Sequence, residues 1–193
     1  MYDFEQKNEA FQTSGQVQYV ALCGNFEREG YDYTGALRIL RVMLSYDYLW
    51  INIRVKGGAY GCMSGFSRTG EGYFVSYRDP NLERTMEVYE GIADYLRNFT
   101  VSDRDMNKYI IGTMSNIDQP MTPSAKGDRS FNLYMNKVSA ETIKKERLQI
   151  LEAGQEDIRK LADVVEAVMK AEQVCVIGSE EKIEEAKDMF KNV

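Results

Sequence analysis

The chain contains no histidine among its 193 residues. No histidine-bearing metal site can therefore be built from it, nor a dyad or triad that relies on a histidine base. Cysteine is also scarce. Cys23, Cys62 and Cys175 are odd in number, far apart in sequence and without zinc-type spacing, which argues against a disulfide framework and fits a reducing compartment. Positive charge is in deficit, with 24 Lys plus Arg against 30 Asp plus Glu and a formal charge of −6. No basic stripe with interleaved aromatics occurs, so nucleic acid and anionic membrane are poor partners, while a basic peptide remains open. No apolar run approaches the roughly 20 residues that a membrane helix requires. The opening Met1-Tyr-Asp-Phe-Glu-Gln-Lys is acidic and polar, unlike a signal peptide, which predicts a soluble, cytoplasmic chain.

What is present is enough for one sizeable core: 44% of the residues are apolar, and a chain of this length buries roughly 70% of its unfolded surface. Residues 1–14 read as a polar lead-in and 15–193 as a single domain. In Gln16-Val-Gln-Tyr-Val-Ala-Leu-Cys-Gly24, the set Val17, Tyr19, Ala21 alternates with Gln16, Gln18, Val20, a strand pattern. Ala36, Leu37, Leu40, Met43 and Leu44 then repeat at helical spacing, continuing through Leu49 and Ile53 to a stop at Gly57-Gly58. Two strand-like runs follow, 59–67 and 73–77, joined as a hairpin by a glycine-containing loop. Asp79-Pro80 reads as a cap and first position of a helix with the apolar face Leu82, Met86, Tyr89, Ile92, Ala93, Leu96.

The remainder reads as helices. Ser102-Asp-Arg-Asp105 is a capping signal ahead of Met106–Ile117, and Pro120 and Pro123 end that helix. The next begins near Thr122 with Phe131, Tyr134, Met135 and Val138 as core, followed by two more divided at Gly154. A short strand, Gln173-Val-Cys-Val-Ile-Gly178, precedes a last helix capped by Ser179. This order predicts an α+β fold: a mainly antiparallel sheet of about four strands with helices packed on one face.

Function concentrates at Trp50-Ile-Asn-Ile-Arg54-Val-Lys-Gly-Gly-Ala-Tyr60-Gly, where a helix delivers an arginine, two glycines and a tyrosine into one turn. Arg54 and Tyr60 are both hydrogen-bond donors and neither is a base near neutral pH, so the pair suits stabilising an oxygen rather than removing a proton. Taken singly, Arg54 reads as a surface cation on the last helix carbonyls and Tyr60 as a half-buried strand aromatic. The Gly57-Gly58 turn has neither the phosphate-loop nor the dinucleotide spacing. With no histidine to activate it, Cys62 reads as an inert buried thiol. The clusters Glu87/Glu90/Asp94 and Glu180 to Glu185 read as solvated helix faces.

Arg54-Val-Lys-Gly-Gly-Ala-Tyr60-Gly and Val75-Ser-Tyr-Arg-Asp-Pro-Asn-Leu82 resemble the fourth, C-terminal domain of the presequence-protease branch of the pitrilysin/insulinase zinc metallopeptidases. The likeness extends to Asn8-Glu-Ala-Phe11, Gln16-Val-Gln-Tyr-Val20, Ile110-Ile-Gly-Thr113, Asp118 and Ala125-Lys-Gly127. The resemblance implies a clamshell of two halves around unfolded peptides, with zinc held in the N-terminal half by His-x-x-Glu-His and a distal glutamate. It further implies that Arg54, with Gly57 and Gly58, holds the substrate backbone and that Tyr60 donates to the carbonyl oxygen as it becomes an oxyanion. Since this chain has no His-x-x-Glu-His, the implied module is a C-terminal piece with Met1 added at a cut. Such a module is inactive alone, partners the N-terminal half of its parent, and is prone to self-association through the surface facing it. Two other readings stay open: a non-catalytic scaffold or peptide-binding subunit of the same fold, and a free-standing interaction domain.

Overall fold

The computed structural model describes residues 7–171 and 173–193. Its centre is a five-stranded sheet in the order β1-β5-β2-β4-β3, formed by β1 (Asn8–Thr13), β2 (Gln18–Asn25), β3 (Gly61–Phe66), β4 (Glu71–Asp79) and β5 (Gln173–Ser179). All neighbours are antiparallel except β1 and β5, which run parallel from Asn8 opposite Val174 to Thr13 opposite Ser179. The α+β class and the mainly antiparallel sheet are as predicted. The fifth strand, β1, lies inside the stretch read as a lead-in, and its one buried side chain, Ala10, is too little to produce a period-2 signal.

Helices cover one face of the sheet. Val20, Leu22, Phe74, Val174 and Val176 point into the core, where they meet Leu37, Leu40, Met43, Leu44, Val165 and Val168. Alternation places Phe11, Tyr19, Met63, Tyr73 and Ile177 on the opposite, exposed face. Of the two alternating sets in β2, the one holding Gln18, Val20 and Leu22 is buried, and Tyr19 is not. Buried Gln18 is held by its own contacts, accepting from the Ser179 N–H at 2.9 Å and donating to the Pro80 carbonyl at 3.4 Å.

Helix α1 (Ala36–Met43) runs on without interruption into two π-wound segments, Leu44–Tyr48 and Trp50–Val55. There the Leu49 and Lys56 N–H groups reach back five residues, to Leu44 and Ile51. Next come α2 (Glu83–Glu90), α3 (Ile92–Arg97), α4 (Asp103–Ile117), α5 (Pro123–Met135), α6 (Ala140–Leu151), α7 (Gln155–Lys170) and α8 (Glu180–Glu185). Ser102, Thr122 and Ser139 cap their helices by accepting the N–H three residues on. Ser179 sits at the start of α8 without a side-chain cap bond.

Two predicted features are corrected. The helix expected from Asp79 starts instead at Glu83 and is divided at Gly91, because Asp79 remains in β4, opposite Gln18. The apolar stripe of α5 is not core: Phe131, Tyr134 and Met135 are 63%, 80% and 60% exposed, and no residue of this helix is buried. One feature invisible in sequence ties distant parts together. Glu146 of α6 is buried and receives Arg68 from the β3–β4 loop through two hydrogen bonds, with Arg38 of α1 at 3.6 Å.

Candidate functional site

The site forms where the π-wound helix ends. Trp50 and Arg54 are one helical turn apart, and the Arg54 guanidinium lies over the Trp50 ring, 4.1 Å from its centroid. This replaces the expected contact with the last carbonyls. Those carbonyls are bonded otherwise: Arg54 accepts from the Gly58 N–H (2.9 Å), Ile53 from the Ala59 N–H (3.1 Å) and Lys56 from the Arg84 side chain (3.3 Å). Among the described residues no acidic side chain pairs with Arg54, so its donors stay available to a ligand.

The two glycines serve different ends. Gly58 adopts φ +81°, a left-handed conformation that side chains resist. At Gly57 a Cβ would stand 2.4 Å from the Ile53 carbonyl oxygen, so the chain can turn this tightly only without a side chain. The Gly57 carbonyl then accepts from the Asn81 amide at 2.6 Å.

Asn81 belongs to a second turn packed against the first. Asp79, fully buried, accepts from the Asn81 N–H at 2.9 Å and from the Thr85 hydroxyl at 2.7 Å. These bonds account for a buried carboxylate that pairs with no cation among the described residues, since each donor offsets part of its desolvation. Asp79 thus fixes Asn81, which in turn fixes Gly57.

Tyr60 emerges from this turn 60% exposed, not half-buried, with its N–H donated to the Arg78 carbonyl at 3.2 Å. Its ring packs against Tyr77 at 5.6 Å between centroids, and the Arg78 guanidinium sits 5.4 Å from its centroid. Arg54 and Tyr60 therefore occupy the two ends of one backbone-locked turn. Cys62 lies nearby, half-buried, and burial followed by the negative Asp79 pushes its thiol up to about 11, with Arg54 acting the other way. A thiol so placed is a poor nucleophile near neutral pH. Sequence reasoning missed Arg78 and Asn81 as site residues, although both stand in the Val75–Leu82 motif that carried the family resemblance.

Among the described residues no group of three or more His, Cys, Asp or Glu is arranged to hold a metal ion, and the chain has no histidine, so the described residues do not fit a zinc site. No helix among the described residues is long and apolar enough to cross a membrane.

Comparison with known proteins points to one group. Residues 8–181 match the family described as PreP C-terminal domain. Protein HypA of Clostridium perfringens is 47% identical over 194 residues, covering all of this chain and 20% of that protein. Presequence protease 1, chloroplastic/mitochondrial, of Arabidopsis thaliana is 34% identical over 187 residues, covering 96% of this chain and 17% of that protein. The chain thus spans about a fifth of the length of these curated relatives. Among solved structures, a peptidase M16 inactive domain from Pseudomonas fluorescens superposes with a TM-score of 0.64 at 15% identity, over 93% of this chain and 46% of that one. Pitrilysin gives 0.60 at 15% identity, over 89% and 19%. These two show a shared fold.

Proposed function

The chain belongs to the family of PreP C-terminal domains, and from that membership we propose that it completes the active site of a longer zinc-dependent endopeptidase that degrades short unstructured peptides. In this reading the zinc, which activates the hydrolytic water, is held by the N-terminal half of the parent. The present domain has no peptidase activity by itself. Its own residues bind and orient. Arg54, stacked on Trp50 and free of any acidic partner among the described residues, donates to the backbone of the extended peptide beside the scissile bond. Gly57 and Gly58 let the peptide approach the turn. The exposed phenol of Tyr60 donates to the scissile carbonyl oxygen as negative charge builds on it.

The observation that carries this reading is the locked turn. A donor placed before reaction need not be reorganised during it, and Tyr60 is held through its N–H and its ring while the residue stays 60% exposed. In the full-length parent, Tyr60→Phe is expected to lower kcat by about 100- to 1,000-fold, the usual effect of removing one oxyanion donor, with zinc content unchanged. Turnover close to wild type would remove Tyr60 from the mechanism and favour the scaffold or peptide-binding alternative. A cytoplasmic location also belongs to this proposal, supported by three free cysteines, two of them exposed. The Arabidopsis relative's name specifies chloroplasts and mitochondria.

A further inference from the structure

The candidate site has a third member that the proposed function does not use. Where β4 pairs with β2 the register slips: Gln18 is opposite Asp79 but Val20 is opposite Ser76, so Tyr77 and Arg78 together face the single residue Tyr19. This is the two-against-one count of a β-bulge, a device that turns a side chain away from the direction regular pleating would give it. Arg78 has φ +48°, in the left-handed region that long side chains avoid, and of the described non-glycine residues only Lys137 shares such a conformation. Strain of this kind persists where surrounding bonds over-determine it. Here they do: the Arg78 carbonyl accepts the Tyr60 N–H, the next residue is the buried and doubly bonded Asp79, and Asn81 grips Gly57. The bulge brings the Arg78 guanidinium to 5.4 Å from the Tyr60 ring centroid, within cation–π range. As with Arg54, no acidic side chain among the described residues pairs with it.

We propose that Arg78 is a positioning residue for Tyr60: the strained bulge holds its guanidinium against the ring so that the phenol is fixed in its donating direction before substrate arrives. The inference rests on the proposed role of Tyr60. Its chemical content is that the guanidinium, and not merely the bulged backbone, matters to turnover.

Arg78→Gly separates the two, because glycine accepts φ +48° without strain and keeps the Tyr60-to-Arg78 main-chain bond while deleting the guanidinium. In the full-length parent this variant is expected to melt at or above the wild-type temperature, to keep KM within about two-fold, and to lose at least ten-fold in kcat. The same substitution in a Tyr60→Phe background is expected to add less than two-fold, since a residue that acts through the phenol has nothing to position once it is gone. Wild-type kcat for Arg78→Gly would overturn the proposal, leaving Arg78 a bulge residue only. An equal loss in both backgrounds would also overturn it, because Arg78 would then act independently of Tyr60. Failure of the underlying reading looks different: there Tyr60→Phe alone leaves kcat unchanged.

Discussion

At the scale of single residues, the site depends on what Gly57 and Gly58 lack. With φ +81° at Gly58, an alanine there is forced into a left-handed conformation, at a cost of about 1–2 kcal/mol. Gly58→Ala should therefore lower the urea midpoint of this chain by that much stability with the slope unchanged. Gly57→Ala should cost more, since its Cβ meets a backbone oxygen at 2.4 Å rather than the end of a flexible side chain. Both glycines were legible in the sequence as a helix stop, and so was the pair of donors around them. Arg78 was not. Its placement comes from a register slip between β2 and β4, and nothing in Ser76-Tyr-Arg-Asp79 announces on which strand the extra residue will fall. The stacking of Arg54 on Trp50 follows from their four-residue spacing and could have been anticipated from helix geometry.

At the scale of elements, two turns support each other. The 78–81 corner holds the 57–60 turn by two bonds, Asn81 to the Gly57 carbonyl at 2.6 Å and Tyr60 to the Arg78 carbonyl at 3.2 Å. Asn81→Ala removes the first and leaves the carbonyl to water. It should cost about 1 kcal/mol in chemical unfolding and raise amide exchange at Gly58 and Ala59 by more than at the β3–β4 pairs. Uniform exchange across both regions would count against the corner as a local brace. The elements that sequence revealed are those built from neighbours: the hairpin, the capped start of α4, the start of α5 near Thr122 and the break before α7 at Gly154. Those it hid depend on distant partners. β1 is a strand because β5 lies beside it, 166 residues on at Asn8 and Val174. Asp79 stays in a strand because Gln18 opposes it.

Over the whole molecule, a single layer of helices on one side of the sheet divides the apolar residues into two populations. Leu40, wholly buried against that layer, should cost about 2–5 kcal/mol when cut to alanine. Phe131 and Tyr134, each more than half exposed on α5, should change stability by no more than about 0.5 kcal/mol as serines. A denaturation series on the three variants checks the contrast, and a cost above 2 kcal/mol for either aromatic would return α5 to the core. The sequence shows an apolar stripe equally well in both cases, because periodicity records that a face is apolar and not what lies across from it. The same reasoning applies to β2, where alternation separates two sets of residues without telling which of them is buried.

The π winding that leads up to and includes Arg54 has a consequence for how such domains diverge. Each π segment holds one residue more per closed ring than an α-helix, so shortening 44–55 by one residue has an escape that shortening a turn does not: the helix tightens from five-residue to four-residue bonding. The interval from Arg54 to Tyr60 has no such slack, since the carbonyls of Arg54, Lys56 and Gly57 and the amides of Gly58, Ala59 and Tyr60 are already committed to named partners. Insertions and deletions in this lineage should accordingly collect upstream of the arginine, with the glycine turn kept at constant length.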